Sequence, residues 1–76
     1  MHFYEYKGFT IYPTPKLSLR TDTWTIGLSI RRGNKIKTIS TAHSFRTKGE
    51  AAFHCISFGK KIIDGEIAEI TLHELY

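Results

Sequence analysis

The clearest pattern in the chain is an alternation of apolar and polar residues that begins at Trp24. Side chains two positions apart share one face of a strand, so the alternation gives one apolar face and one face of small or polar residues. It predicts a central, half-buried β-strand over Trp24–Ile30. The apolar positions are Trp24, Ile26, Leu28 and Ile30, and the intervening positions are Thr25, Gly27, Ser29 and Arg31.

Two aromatic-rich runs near the N-terminus flank the dipeptide Lys7-Gly8. Glycine tolerates a positive φ, which two-residue β-hairpin turns require, so this segment predicts a tight hairpin. In that register Tyr6 faces Phe9 and Tyr4 faces Ile11 on one side of the ribbon. We interpret Tyr4, Tyr6, Phe9 and Tyr12 chiefly as packing residues, with base stacking as the alternative.

Three further segments complete the predicted sheet. The tripeptide 13–15 contains two prolines, which lack an amide donor, so it ends the pairing of the hairpin. Residues 17–20 alternate between leucine and polar residues and predict a short strand. Residues 35–41 are rich in β-branched side chains, and they predict a further strand after the turn at residues 32–34. Because Ile36 and Ile39 fall on opposite faces of that strand, we expect a bulge or twist there.

The helix is marked by a capping box, in which Thr47 precedes Glu50 by three positions. The apolar periodicity predicts a helix from about Lys48 to Asp64, with Thr47 as its N-cap and Gly65 in a left-handed termination. After the helix, residues 66–76 favour a short terminal strand or an extended tail, and a helix is the alternative. The apolar arc of the helix contains Ala51, Ala52, Cys55, Ile56, Phe58, Gly59, Ile62 and Ile63.

Together these elements predict an α+β fold. An antiparallel sheet of three to five strands, with an N-terminal hairpin and the central strand Trp24–Ile30, packs on one C-terminal helix at about 48–64. A chain of 76 residues has room for a single domain, which we assign to 1–76. Hydrophobic residues make up 41% and charged residues 24%, a composition typical of globular proteins.

The chain has no apolar stretch of membrane-spanning length, and residues 1–9 lack the pattern of a signal peptide. A single cysteine excludes an intramolecular disulfide framework and suits a reducing compartment. We therefore expect a cytoplasmic protein without a membrane partner.

Charge is distributed unevenly along the chain. Residues 1–63 carry a formal charge of +8, whereas residues 64–76 carry −4 and contain no lysine or arginine. This asymmetry indicates a nucleic-acid footprint, an acidic segment that folds back over a basic surface, or ordinary solvation of a small domain. The candidate nucleic-acid contacts lie near the predicted turns and the start of the helix: Arg20, Arg31, Arg32, Lys35, Lys37 and Arg46.

Catalysis and metal binding have little support in the sequence. The four histidines, His2, His43, His54 and His73, lack the short paired spacings of metal ligands. Adjacent residues on a helix point about 100° apart, so His54 is poorly placed to activate the thiol of Cys55. We interpret Cys55 as a core residue and expect no catalytic residue, metal or cofactor.

Several motifs resemble a group of small uncharacterised bacterial and prophage-encoded α+β proteins, a resemblance that implies no activity. The motifs are Tyr6-Lys7-Gly8-Phe9, Trp24–Ile30, Phe45-Arg46-Thr47 followed by Glu50-Ala51, and the segment from Gly59 to Gly65.

More distantly, the tyrosine-basic-glycine start, the tryptophan strand and the Phe-x-Thr before a Glu-Ala helix resemble AP2-type domains and the amino-terminal domains of tyrosine integrases. That resemblance implies a three-stranded sheet that reads the DNA major groove, with Trp24 and Arg31 at corresponding positions. The chain departs from AP2-type domains at residues 9–12, where those domains carry arginines.

We interpret the chain as a small non-catalytic binding module. The expected partner is another protein or a second copy of the chain, docked on the sheet face that the helix leaves uncovered or on a free strand edge. Nucleic acid is the alternative partner.

Overall fold

The computed structural model describes residues 3–76. It confirms the predicted α+β fold, with five antiparallel strands and one C-terminal helix. No helix within residues 3–76 is long and apolar enough to cross a membrane. The elements are β1 (Tyr4–Tyr6), β2 (Phe9–Pro13), β3 (Lys16–Ser18), β4 (Thr23–Arg32), β5 (Lys35–Phe45), α1 (Lys48–Ile63) and a short 3₁₀ helix (His73–Leu75).

Strand β4 is the centre of the sheet. It pairs with β5 along one edge and with β2 and β3 along the other, and β1 adds to the outer edge of β2. The predicted alternation is confirmed, because Ile26, Leu28 and Ile30 are all buried beneath α1. A fully buried leucine or isoleucine contributes about 1.5–3 kcal/mol relative to an exposed one, so this apolar row is a main source of stability.

Strands β2 and β3 lie end to end along the same edge of β4, with no shift in register between them. Pro13 pairs with Leu28 and Lys16 pairs with Thr25, so each chain advances by three residues between the two pairs. The Thr14 amide between the prolines donates to the Gly27 carbonyl oxygen at 2.7 Å. The expected end of pairing at residues 13–15 is therefore only an interruption, since Thr14 keeps the donor that its two proline neighbours lack.

Two glycines allow close packing on opposite faces of this sheet. A Cβ atom on Gly27 would lie 2.6 Å from the Thr14 carbonyl oxygen, on the face away from α1. On the helix side, a Cβ on Gly59 would lie 2.9 Å from Cγ2 of the buried Ile11. Both distances are too short for a carbon, so the absent side chains let these segments approach.

The N-terminal hairpin has the predicted register, with Tyr6 opposite Phe9 and Tyr4 opposite Ile11. Its turn residues, Lys7 and Gly8, both have positive φ, as in a type I′ turn. The turn is tied to the end of α1, because the carboxylate of Asp64 accepts hydrogen bonds from the Lys7 ammonium at 2.5 Å and the Tyr6 hydroxyl at 2.9 Å. These two bonds hold the pKa of Asp64 below its ordinary value of 3.8, with the Lys7 bond the larger cause.

Helix α1 begins and ends as predicted. The hydroxyl of Thr47 accepts a hydrogen bond from the Glu50 amide at 3.1 Å, and Gly65 has a φ of +77° just beyond the C-cap residue Asp64. Its most buried residues all belong to the predicted apolar arc: Ala51, Cys55, Gly59 and Ile62.

Strand β5 contains the expected irregularity. Between the pairs Thr25–Ser44 and Gly27–Ser40, β5 advances by four residues while β4 advances by two. Because this bulge follows Ile39, it leaves the alternation of Ile36 and Ile39 unchanged. Ile39 is buried on the helix side, and 61% of Ile36 is exposed on the opposite face.

The preference for a strand or extended tail after Gly65 is wrong. The segment instead turns across the end of the core and closes with the 3₁₀ helix His73–Leu75. Leu72 and Leu75, three residues apart, are both buried there. In a strand these two side chains would point to opposite faces, so burial of both favours a helical turn.

We expect Gly27→Ala to destabilise the protein by about 1–3 kcal/mol, since the added methyl group collides with the Thr14 backbone. Gly49→Ala is the matched control, because its Cβ meets nothing within 4 Å and alanine has the higher helix propensity. In urea unfolding, the free energy of unfolding of Gly27→Ala should be lower than that of the parent. The value for Gly49→Ala should equal or exceed that of the parent. Equal stability of all three would contradict the close approach of Thr14.

The Asp64 network predicts a pH-dependent contribution to stability. The depressed pKa of this carboxyl means that its contribution is present above pH 3.8 and is lost as the pH falls through the lower folded value. Asp64→Asn should therefore lower the thermal midpoint at pH 7, and the difference from the parent should close as the pH approaches 2. The exposed Glu69→Gln serves as control. A difference for Asp64→Asn that is unchanged between the two pH values would contradict the prediction.

Candidate functional site

The face of the sheet opposite α1, here called the outer face, is left uncovered by the helix. Strand register places its residues in rows that cross the sheet. The first row is Glu5, Thr10, Arg31 and Ile36, and the second is Phe3, Tyr12, Ser29 and Thr38. Phe3 precedes β1 but belongs to the second row, because its ring lies next to that of Tyr12, with a centroid separation of 5.9 Å.

Apolar side chains surround an open depression on this face. The depression has a volume of about 400 Å³, and Tyr12, Pro13 and Ile36 provide its apolar walls. Phe3 extends the apolar surface from Tyr12, and 55% of Phe3 is exposed. The floor is low because Ser29, at the centre of the sheet, carries a small side chain.

Polar groups around the depression are held in place. The hydroxyl groups of Ser29 and Thr38 form a hydrogen bond of 3.3 Å across β4 and β5. Arg31 donates from Nε to the Gly33 carbonyl oxygen at 2.7 Å, which fixes the guanidinium beside the hairpin turn. That bond uses one of the five N–H donors of arginine, so the fixed group presents further donors at the surface.

The structure does not bring the six candidate cationic contacts together. Arg31 lies on the outer face, whereas its neighbour Arg32 pairs with Lys35 and has the opposite orientation. Arg20 lies in the turn before β4, and Arg46 follows β5 at the same end. That end is roughly 25 Å from Arg31, at about 3.3 Å per strand residue.

Three of these cations contact the C-terminal segment. Lys37 forms a salt bridge with Glu74 and donates to the Thr71 carbonyl oxygen at 2.7 Å. Lys35 donates to the Tyr76 carbonyl oxygen at 3.1 Å, and the Arg32 guanidinium carbon lies 4.6 Å from the centre of the Tyr76 ring. The Lys37 hydrogen bond holds the pKa of Glu74 below its ordinary value. The acidic segment thus folds back over this part of the basic surface, one of the arrangements expected from the charge asymmetry.

The N-terminal aromatic residues divide between the two faces. Phe9 is buried in the core. Tyr4 and Tyr6 lie beside α1, where the Lys60 ammonium is 4.3 Å from the ring centre of Tyr4 and 5.6 Å from that of Tyr6. Only Tyr12 of this set lies on the outer face, so the four rings do not form one stacking surface.

Two of the histidines line a second cleft, between α1 and the bulge of β5. His43 and His54 contribute to its wall, and the His54 ring stacks on Phe45 with a centroid separation of 4.3 Å. Cys55 points away from this cleft into the core, where Sγ donates to the Gly27 carbonyl oxygen at 3.1 Å. Burial raises the pKa of this thiol. His2 lies outside the described residues.

Within residues 3–76, no three histidine, cysteine or acidic side chains lie close enough together to hold a metal ion.

Sequence reasoning missed two residues of the outer face. Phe3 carries a signal in the hairpin register, since a pairing of Tyr4 with Ile11 places Phe3 opposite Tyr12. Ile36 carries a signal in its alternation with Ile39. The sequence did not give the position of the expected bulge, so the face on which Ile36 lies was ambiguous. The first signal was available from the predicted hairpin register, whereas the second becomes clear only once the pairing of β5 with β4 is known.

Comparisons with protein-family models, with curated proteins and with solved structures gave no match for this chain.

Proposed function

We propose that the protein is a small non-catalytic binding module whose outer face docks on a partner protein. The observation that carries this proposal is the apolar depression bounded by Tyr12 and Ile36, with the fixed guanidinium of Arg31 at its edge. Aromatic residues and arginine are enriched at protein interfaces, and energetically dominant contacts cluster where such side chains are enclosed by a partner.

The charge on the outer face favours a protein over nucleic acid. Among the paired strand residues of this face, the charged side chains are Glu5, Lys16 and Arg31, a formal charge of only +1. Nucleic-acid binding draws much of its affinity from several lysine or arginine contacts to phosphates. The cations that would supply those contacts lie on the helix side of the hairpin or at the far end of the sheet.

Two observations support a non-catalytic role. The thiol of Cys55 is enclosed in the core and hydrogen-bonded to the backbone, so it is not paired with the neighbouring His54. The walls of the outer depression are apolar or hydroxyl-bearing apart from Arg31, and they present no acid–base pair.

A capture experiment with matched charge substitutions tests the proposal. Ile36→Lys places a charge at the depression, whereas Leu19→Lys makes the same change at an exposed leucine in the turn before β4. Immobilised parent and Leu19→Lys should retain the same protein from the native cell extract. Retention by Ile36→Lys should fall by at least about tenfold, the effect of 1.4 kcal/mol.

Equal retention by all three proteins would contradict an outer-face site. Retention of nucleic acid rather than protein, at physiological salt and in an Arg31-dependent manner, would replace the protein partner with a nucleic-acid partner.

A further inference from the structure

We propose that the cleft between α1 and the bulge of β5 binds a small aromatic carboxylate. This site lies on the helix side of the sheet, away from the outer face, and it is independent of the proposed protein-binding function. The cleft has a volume of about 240 Å³. Since an apolar cavity of about 150 Å³ accepts one benzene ring, the cleft has room for a single aromatic ring with a small anionic group.

The bulge of β5 opens the cleft. Between its pairs with Thr25 and Gly27, β5 advances by four residues while β4 advances by two. Because the longer strand bends at such a bulge, space is left beside Ile26. His43 lies in the bulge and lines this space, and its amide donates to the Thr41 hydroxyl oxygen at 3.3 Å. Bulges commonly re-aim a side chain next to a binding site.

The base of the cleft is apolar. Ile26 belongs to the buried core, and three half-buried side chains at the cleft pack against that core: Phe45, Phe58 and Ile67. An aromatic ring in the cleft would remove apolar surface from water on both sides of the contact. Burial of this kind supplies most of the affinity of small-molecule sites, and a few polar groups then fix the orientation of the ligand.

The rim of the cleft supplies hydrogen-bond donors and positive charge. His54, Ser57 and Lys61 follow one another along α1 at intervals of three and four residues, so they lie on the same side of the helix. His43 lines the cleft from β5. Each of these side chains can donate a hydrogen bond, and the lysine ammonium group has no acceptor. Both ion pairs within residues 3–76 involve other lysines, so the charge of Lys61 is not neutralised there.

This combination of groups selects an anion. None of the eight residues that line the cleft is acidic, so a cationic ligand would meet Lys61 without any compensating carboxylate. An uncharged ring would cover the rim donors and offer them no acceptor, which is costly once water is excluded. A carboxylate has two acceptor oxygens, which suits donors that lie on both walls of the cleft.

The imidazole of His54 is held in place before a ligand binds. Its ring stacks on Phe45 with a centroid separation of 4.3 Å and an interplanar angle of 9°. Phe53 contacts the same imidazole edge-on, with centroids 5.5 Å apart. Because these two neighbours restrict rotation of the ring, less conformational entropy is lost when His54 binds an anion.

An amide chemical-shift titration with benzoate tests the site. Benzamide is the uncharged isostere of benzoate, and acetate carries the carboxylate without the ring. Benzoate should shift the amides of the cleft residues with a dissociation constant of roughly 1 mM or lower, an ordinary affinity for a ligand of this size. Benzamide and acetate should each bind at least about fivefold more weakly, because each lacks one of the two contacts.

Two substitutions test the role of the rim. Lys61→Met removes the ammonium group but keeps a long side chain, and His54→Phe keeps a ring on Phe45 but removes the donor. Each should weaken benzoate binding by about fivefold or more and change benzamide binding by less than about twofold. Lys16→Met, the same change on the outer face, should bind benzoate as the parent does. Circular dichroism of each variant verifies the fold.

Four results would overturn the inference. They are the absence of cleft shifts at about 20 mM benzoate, equal affinities for benzoate and benzamide, shifts confined to the outer face, and benzoate binding that neither rim substitution weakens. The capture experiment with Ile36→Lys is unaffected by any of them, so the proposed function stands or fails separately.

Discussion

The packing of three segments around the Gly27 backbone is the constraint on which the structure depends. The Gly27 carbonyl oxygen accepts hydrogen bonds from the Thr14 amide and from the thiol of Cys55. The sheet and the helix therefore meet at one peptide group of β4. Because Gly27 lacks a Cβ, Thr14 can lean over the outer face and keep the prolines in register with β4. On the opposite side of the sheet, the lack of a side chain at Gly59 lets α1 pack closely against Ile11 of β2.

The two faces of β4 separate the hydrophobic core from the proposed binding site. Its core face carries the buried aliphatic row and receives α1. Its outer face carries small and hydroxyl-bearing residues with Arg31 at one end. Substitutions on the outer face can therefore alter binding with little loss of core packing, which makes the proposed site experimentally accessible.

The positive charge near the β4–β5 hairpin is largely balanced by the C-terminal segment of the same chain. Lys35, Lys37 and Arg32 contact the C-terminal segment, whose Leu72 and Leu75 are anchored in the core. A polyanion at these cations would compete with contacts that already exist, at an effective concentration set by the anchored segment. Strand register directs these three cations to the helix side, which explains how a chain of net charge +4 presents an outer face that is nearly neutral.

Local signals in the sequence determined the elements, because short-range sterics and hydrogen bonding act between near neighbours in the chain. The Lys7-Gly8 turn set its own register, Thr47 and Gly65 bounded the helix, and strict alternation identified the core face of β4. Only the tertiary structure decided which cations remain available, since Lys35 and Lys37 are contacted by the C-terminal segment, which is distant in sequence. It also decided the path of residues 66–76, because burial of Leu72 and Leu75 depends on the distant core. The outer depression arises from three strands brought together by pairing, which no single segment encodes.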